Sequence, residues 1–426
     1  MTSIFRTLLV LTAGTASVVS PSVAQSTASP AGAAARVRGH VEYLAADARE
    51  GRGVGTAGLD SAAAYVARAF AGIGLRAGGT DGYFQPFTID PTAAAAAHAG
   101  VGGQAVRNVV GVLPGRGTLA GQAVVIGAHY DHLGLGGFGS LDPDSTGVVH
   151  NGADDNASGT AALIETAAQL AGRRTTNART IVFLAFTAEE IGLVGSSHYV
   201  ANPVISSDST IAMINFDMVG RLRDGALLAI GTGSAIELER AVDSIASAHA
   251  LDLEITGDPW GRSDHSSFYG AGIPVVHFFT DTHEDYHRTT DDAGDINVAG
   301  IVRVASLAAD LAWSLATRAS RLTYVSVPRP APTQGGGYGA YLGTIPDMSE
   351  SPGGVRLTGV RAGSPAELAG LQRGDVLVQI GDKEIANLYD MTDALRSHHP
   401  GDVVKLVYLR DGERVETTAT LGTRGD

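Results

Sequence analysis

Five short polar clusters carry the residue types that could do chemistry: Gly-Ala-His129-Tyr-Asp131, Gly-Ala-Asp154-Asp155-Asn156, Thr-Ala-Glu189-Glu190, Asn-Phe-Asp217-Met and Asp-Tyr-His287-Arg-Thr-Thr-Asp291. They offer two imidazoles and several carboxylates, the donor set preferred by divalent cations such as Zn²⁺. In His129-Tyr-Asp131, alternate residues at a strand end can lie near one another. One imidazole nitrogen could then bind a metal while the other donates to the carboxylate. His287 and Asp291 could repeat that device four residues apart. A Glu beside a ligand Glu, as in Glu189-Glu190, supplies a possible general base. Asp217 stands in an otherwise apolar stretch, where a carboxylate is costly unless it is paired or bound to a metal. The clusters together point to a hydrolase with two adjacent metals.

The elements that must position these residues are legible around them. Strand-like runs cover 108–113, 123–128, 180–186, 211–216, 226–230 and 273–279, and helix-like stretches cover 158–170, 234–250 and 298–316. Strands alternating with helices imply an α/β fold with a mostly parallel central sheet flanked by helices. Ligands of such sheets bind beyond the carboxyl ends of the strands. His129, Glu189, Glu190 and Asp217 all fall there. Residues 37–47 and 60–72 read as further helices, separated by the glycine-rich loop Glu50-Gly-Arg-Gly-Val-Gly-Thr56.

The clusters, in this order, resemble the co-catalytic dizinc aminopeptidases, secreted bacterial leucyl-aminopeptidase-like metallopeptidases. The resemblance runs from about Val37 to Arg318. It implies a zinc-exopeptidase-like fold and two divalent cations, Zn²⁺ first among them. It implies Asp154 as the bridging ligand, Glu190 and His287 at one metal, and His129 and Asp217 at the other. Glu189 would be the base, assisted by Asp131 beside His129, with Asp155 and Asp291 as outer carboxylates and a cis Asp154–Asp155 peptide bond. Ser263, Asp264 and His265 match a segment near the substrate pocket. Trp260 stands where some relatives place an oxyanion-donating Tyr, and Arg221 is a candidate for orienting substrate. The implied substrates are peptides with a free N-terminus. Two other readings use the same fold: a glutaminyl-cyclase-like transferase with one zinc, and an inactive hydrolase fold kept for binding.

Two decoys are set aside. Ser263-Asp264-His265 cannot form a serine triad from sequence order alone. His283-Glu284-Asp285-Tyr286-His287 fits H-E-x-x-H, but that motif needs a helix, and no apolar helical face accompanies it.

The chain has 426 residues and a net charge of −14, with no cysteine. The acidic balance argues against nucleic-acid binding, and no disulfide framework is available. Residues 1–24 read as an export signal: Arg6, an apolar stretch from Leu8 to Val19, then Ser22-Val23-Ala24. A periplasmic or extracellular protein with no membrane span after cleavage follows from that reading. Residues 25–35 read as a disordered lead-in, 36–320 as the catalytic domain, 321–336 as a linker and 337–426 as a small β-rich module. Tyr341-Leu342-Gly343, Gly363-Ser-Pro-Ala366 and Arg373-Gly-Asp-Val376 resemble a PDZ domain. That resemblance implies a groove-side helix at 388–398 and a loop at Tyr341, Leu342 and Gly343 that takes a peptide's C-terminal carboxylate.

Overall fold

The computed structural model describes residues 30–142, 145–223, 226–261, 263–328, 340–346, 353–361, 363–386, 390–391, 394–395 and 397–422. The export signal, the linker from 329 onward, Arg262 and part of the expected helix at 388–398 lie outside the described residues.

The first region comprises, in order, α1 (Pro30–Leu44), α2 (Ala57–Ile73), β1 (Arg76–Ala77), β2 (Phe84–Thr88), α3 (Ala94–His98), β3 (Ala105–Leu113), β4 (Ala123–His129), α4 (Gly159–Ala171), β5 (Thr180–Phe186), α5 (Val194–Ala201), β6 (Thr210–Phe216), β7 (Ala226–Ile230), α6 (Leu238–Ala248), β8 (Asp252–Thr256), α7 (His265–Gly270), β9 (Val275–Phe279) and α8 (Val298–Thr317). Because α1 begins at Pro30, the lead-in expected to run to 35 gives way to helix earlier.

The strands form one sheet in the order β1-β3-β5-β4-β6-β9-β7-β8, with β2 also on β3. The central four, β5, β4, β6 and β9, run parallel. Both flanks reverse direction, β3 against β5 and β7 against β9. The sheet is therefore parallel at its centre and mixed overall. Every residue of β4, β5 and β6 is buried, which is why these strands read as unbroken apolar runs.

Among the described residues one helix, Val298–Thr317, is long and apolar enough to cross a membrane. In this structure it is a core helix, with Ile301, Val304, Leu307, Leu311 and Leu315 buried. Arg36 of α1 holds Glu165 of α4 through two bonds of 3.0 and 2.9 Å.

The second region is a separate antiparallel sheet of β10 (Thr344–Pro346), β11 (Val355–Val360), β12 (Val376–Ile380), β13 (Lys383–Glu384), β14 (Val403–Arg410) and β15 (Glu413–Thr420). Its order is β10-β11-β12-β14-β15, with β13 on β12. The short helix α9 (Pro365–Leu368) is capped by Ser364, whose side chain accepts from the Glu367 N–H, and starts with proline. Both features favour helix initiation. Leu342, Leu357, Leu377, Ile380 and Leu406 share this region's own core.

Candidate metal centre

The parallel centre of the sheet brings its strand ends to one place. His129 is the last residue of β4, Asp217 follows β6 directly, Glu189 and Glu190 come three and four residues after β5, and His287 lies on the loop after β9. Three non-glycine residues beside these groups take left-handed backbone: Ala188 (φ 57°), Met218 (φ 53°) and His287 (φ 58°). Such residues cluster at sites where the surroundings enforce the geometry. Two buried asparagines supply part of that enforcement. Asn108 accepts from the Thr187 N–H (3.2 Å) and donates to Gly195 O (2.8 Å), framing the Glu189 turn. Asn156 accepts from the Met218 N–H (3.2 Å) and donates to Phe216 O (3.0 Å), tying the acidic turn to the Asp217 turn.

The side chains converge on Asp155. Its Oδ1 lies 3.3 Å from His129 Nε2 and its Oδ2 lies 3.1 Å from His287 Nε2. His129 Nε2 is also 3.2 Å from Asp217 Oδ1 and 4.0 Å from Glu189 Oε2. His287 Nε2 is 3.2 Å from Glu190 Oε2. Two triads, His129/Asp155/Glu190 and His129/Glu189/Asp217, keep their donor atoms within 4.8 Å of one another.

Residues 108–312 match Peptidase family M28 and residues 340–421 match the PDZ domain. Residues 108–312 thus form a region like peptidase family M28, followed by a C-terminal PDZ domain. Aminopeptidase YwaD of Bacillus subtilis is 31% identical over 201 residues, which is 45% of this chain and 40% of that protein. The zinc aminopeptidase BSAP from Bacillus subtilis superposes with a TM-score of 0.53 at 19% identity, covering 68% of this chain and 98% of that one. A Bacteroides thetaiotaomicron glutaminyl cyclase bound to N-acetylhistamine superposes equally well, with a TM-score of 0.53 at 18% identity, covering 67% and 97%. These two likenesses concern the fold alone. The chain spans less than half the length of the curated relatives it matches at 31% identity or more.

Within the M28-like region, the acidic turn is shifted by one residue from expectation. Asp155, not Asp154, faces the two imidazoles, and the cis peptide bond is Asp155–Asn156. Asp154 is turned away because its Oδ1 accepts from the Gly220 N–H (2.6 Å) and Ser158 Oγ (2.9 Å). Its Oδ2 sits 3.1 Å from His283 Nε2. Asp291 does not orient His287. It accepts from the N–H groups of Asp154 (2.9 Å) and Asp155 (3.0 Å), while His287 Nδ1 pairs with Gly139 O at 2.8 Å. Asp131 lies beside His129, but the Nδ1 hydrogen bond is to its main-chain O (3.2 Å); its carboxylate stands 3.7 Å from Nδ1 and accepts from the Glu189 N–H at 3.1 Å instead.

Of the expected substrate-binding residues, three are buried, and Trp260 and Arg221 are half-buried. Ser263, Asp264 and His265 are buried; Ser263 Oγ accepts from Asn215 and His265 stacks on His277. Trp260 donates its indole N–H to Val327 O (3.1 Å), so that group is turned from the cluster. Arg221 is occupied by Asp285 (3.1 Å) and Asp291 (3.6 Å). In the PDZ domain, Tyr341 gives its N–H to Gly422 O (2.8 Å) and accepts from the Gly422 N–H (2.9 Å). Of the three carboxylate-loop residues, Leu342 and Gly343 therefore remain as candidates.

Sequence reading passed over two residues at the M28-like site. His132 is buried with Nδ1 2.7 Å from Glu190 Oε1. Tyr286 stacks on the His287 ring at 3.8 Å. Burial, then the fields of Asp155, Glu190, Glu189 and Asp217, push its phenol well above its ordinary range, so the hydroxyl senses the whole cluster.

Electrostatics tests the fit of cations. Burial opposes charge on His129 and His287, yet Asp217 and Glu189 around the first, and Glu190 and Asp155 around the second, push both well above the usual imidazole range. Burial also pushes Glu189 well above the carboxylate range; His129 opposes this, and Asp217 and Glu190 reinforce it. Four carboxylates, Asp155 buried and Glu189, Glu190 and Asp217 half-buried, thus face too little positive charge, which is costly. Divalent cations held by Asp155, Glu190 and His287 on one side, and Asp155, Asp217 and His129 on the other, would answer that demand with donors suited to zinc.

Proposed function

We propose that this protein is an exported metallo-aminopeptidase that holds two divalent cations, Zn²⁺ by preference, and removes N-terminal residues from peptides. The observation that carries the reading is Asp155, one carboxylate whose two oxygens face two imidazoles from opposite sides. When bound, such a cation pair would acidify water and polarise the scissile carbonyl. Glu189 is the base. Its carboxylate stands at the edge of the cluster, its pKa raised by burial, suited to take a proton from water and return it to the leaving amine. Asp131 fixes the Glu189 and Glu190 backbone through its carboxylate and holds the far nitrogen of His129 through its main-chain O. Tyr286, stacked on the His287 ring, is our candidate to donate its hydroxyl to the oxyanion that develops on the substrate. The acidic surroundings favour a free α-amine over a blocked one, which makes the enzyme an exopeptidase. The signal-like N-terminus supports export. The edge of β10, paired on one side only among the described residues and beside Leu342 and Gly343, supports strand addition of a peptide C-terminus to the PDZ domain.

The test uses the purified chain, its bound metal counted, on a free and an N-acetylated aminoacyl chromogenic substrate and on a peptide with N-terminal glutamine. Two metals per chain and turnover of the free substrate only are expected. Equal cleavage of the blocked substrate refutes an aminopeptidase. One metal with cyclisation of the glutaminyl peptide supports the transferase instead, and metal without turnover supports a binding protein.

A further inference from the structure

His132 follows the His-Tyr-Asp run, yet no role in the chemistry above requires it. Its ring is enclosed. The backbone N–H donates to Arg52 O (3.2 Å). The buried Arg52 guanidinium binds carbonyls on either side of that segment, Tyr130 O at 2.8 Å, Asn151 O at 2.7 Å and Gly152 O at 2.8 Å. Gly152 has φ +55°, and a Cβ there would stand 2.4 Å from the His132 ring. The ring therefore occupies a slot that only glycine leaves open. Nε2 is buried and makes no hydrogen bond among the described residues. Nδ1 lies 2.7 Å from Glu190 Oε1 and 3.9 Å from Asp155 Oδ2, so its hydrogen bond goes to Glu190. At that separation a bare Nδ1 lone pair would face carboxylate lone pairs, so Nδ1 carries the proton.

We propose that His132 is a positioning residue that donates Nδ1–H to Glu190 Oε1 and so confines Glu190 to one cation-facing oxygen, Oε2. The two oxygens are already divided this way: Oε1 faces His132 and Oε2 lies 3.2 Å from His287 Nε2. A carboxylate restrained at one oxygen occupies one coordination position instead of two. The position it leaves is available to water or to a substrate amine. The inference rests on the two-cation reading above.

The test titrates the apo chain with Zn²⁺ against a competing chelator, for wild type, His132→Asn, His132→Gln and His132→Ala, with the melting temperature of each apo form. The Asn amide N–H falls where Nδ1 stands; the Gln amide does not. His132→Asn should hold both ions within about threefold of wild type. His132→Gln and His132→Ala should bind one of the two ions about 10–100-fold more weakly, the usual cost of losing an outer partner of a ligand. The apo melting temperatures of the Asn and Gln variants should agree. If His132→Ala does not fold, the Asn/Gln pair still decides. Wild-type affinity in His132→Gln, or equal weakening in Asn and Gln, overturns the proposal. A wild-type chain that binds no Zn²⁺ overturns the two-cation reading itself.

Discussion

Asp154 and Asp155 are adjacent and chemically identical, so exchanging each for asparagine separates ligand from support. Asp155→Asn removes a charge whose oxygens lie 3.3 and 3.1 Å from the imidazoles of both half-sites. At an effective dielectric of about 20, unit charges 4 Å apart interact by about 4 kcal/mol, and a divalent cation doubles that to about 8. Even half of this energy corresponds to a loss in affinity near a thousandfold, at about 1.4 kcal/mol per factor of ten. Both ions should be lost at micromolar free Zn²⁺. Asp154→Asn keeps an oxygen acceptor for Gly220 N–H and Ser158 Oγ. It weakens two charge-assisted bonds to neutral ones, about 1 kcal/mol each. The expected result is a fold about 2 kcal/mol less stable, with metal affinity within about tenfold of wild type. Equilibrium dialysis against buffered Zn²⁺, with elemental analysis of the bound metal and urea unfolding of the apo chain, reads both quantities. An Asp154→Asn chain stripped of metal beside an Asp155→Asn chain that keeps two ions would refute the assignment.

Glu189→Gln should keep both ions and lose about 10²–10⁴-fold in kcat; near-full turnover, or loss of metal, would contradict its role as base. Tyr286→Phe should lower kcat about 10²–10³-fold with little change in KM, as expected for a donor that acts on developing charge; a change confined to KM would make it a binding residue. In the apo chain, burial pushes Asp264 up to about 7 from an ordinary 3.8. Between those values the unfolded chain has released a proton that the folded chain still holds, so stability falls as pH rises from about 4 to 7. The loss from this group is up to about 4 kcal/mol. Asp264→Asn should flatten that part of the profile in urea unfolding at pH 5 and pH 8, and identical slopes in both proteins would exclude the effect.

The legible parts of this fold are those whose cause is local. Strands β4, β5 and β6 are covered on both faces, and their unbroken apolar runs mark them and the polar residues that end them. The edge strands β2 and β8 were missed because they are half exposed; β8 reads Asp-Leu-Glu-Ile-Thr and alternates in burial, a pattern that blends with loop. At the site, the strand-end spacing of His129 and Asp131 drew both residues out. His132, next in line, was hidden because its partner Glu190 lies beyond another strand.

The errors trace to contacts made at long range. Nothing in Asp154-Asp155 distinguishes one acid from the other. The choice is made by the Gly220 N–H, 66 residues downstream, which captures Asp154 and leaves Asp155 to the imidazoles. The indole of Trp260 could have served a substrate oxyanion only if its N–H were free, but the segment after α8 returns and takes it with Val327 O. The spacing of His287 and Asp291 suggested a second His–Asp pair like that of His129 and Asp131. The loop instead reaches Gly139, whose carbonyl pairs with His287 Nδ1. Asp291, released from that task, accepts from the backbone of Asp154 and Asp155. It acts on the metal centre through the turn that aims Asp155. Its spacing from His287 is therefore incidental, and its distance from the acidic turn is what matters.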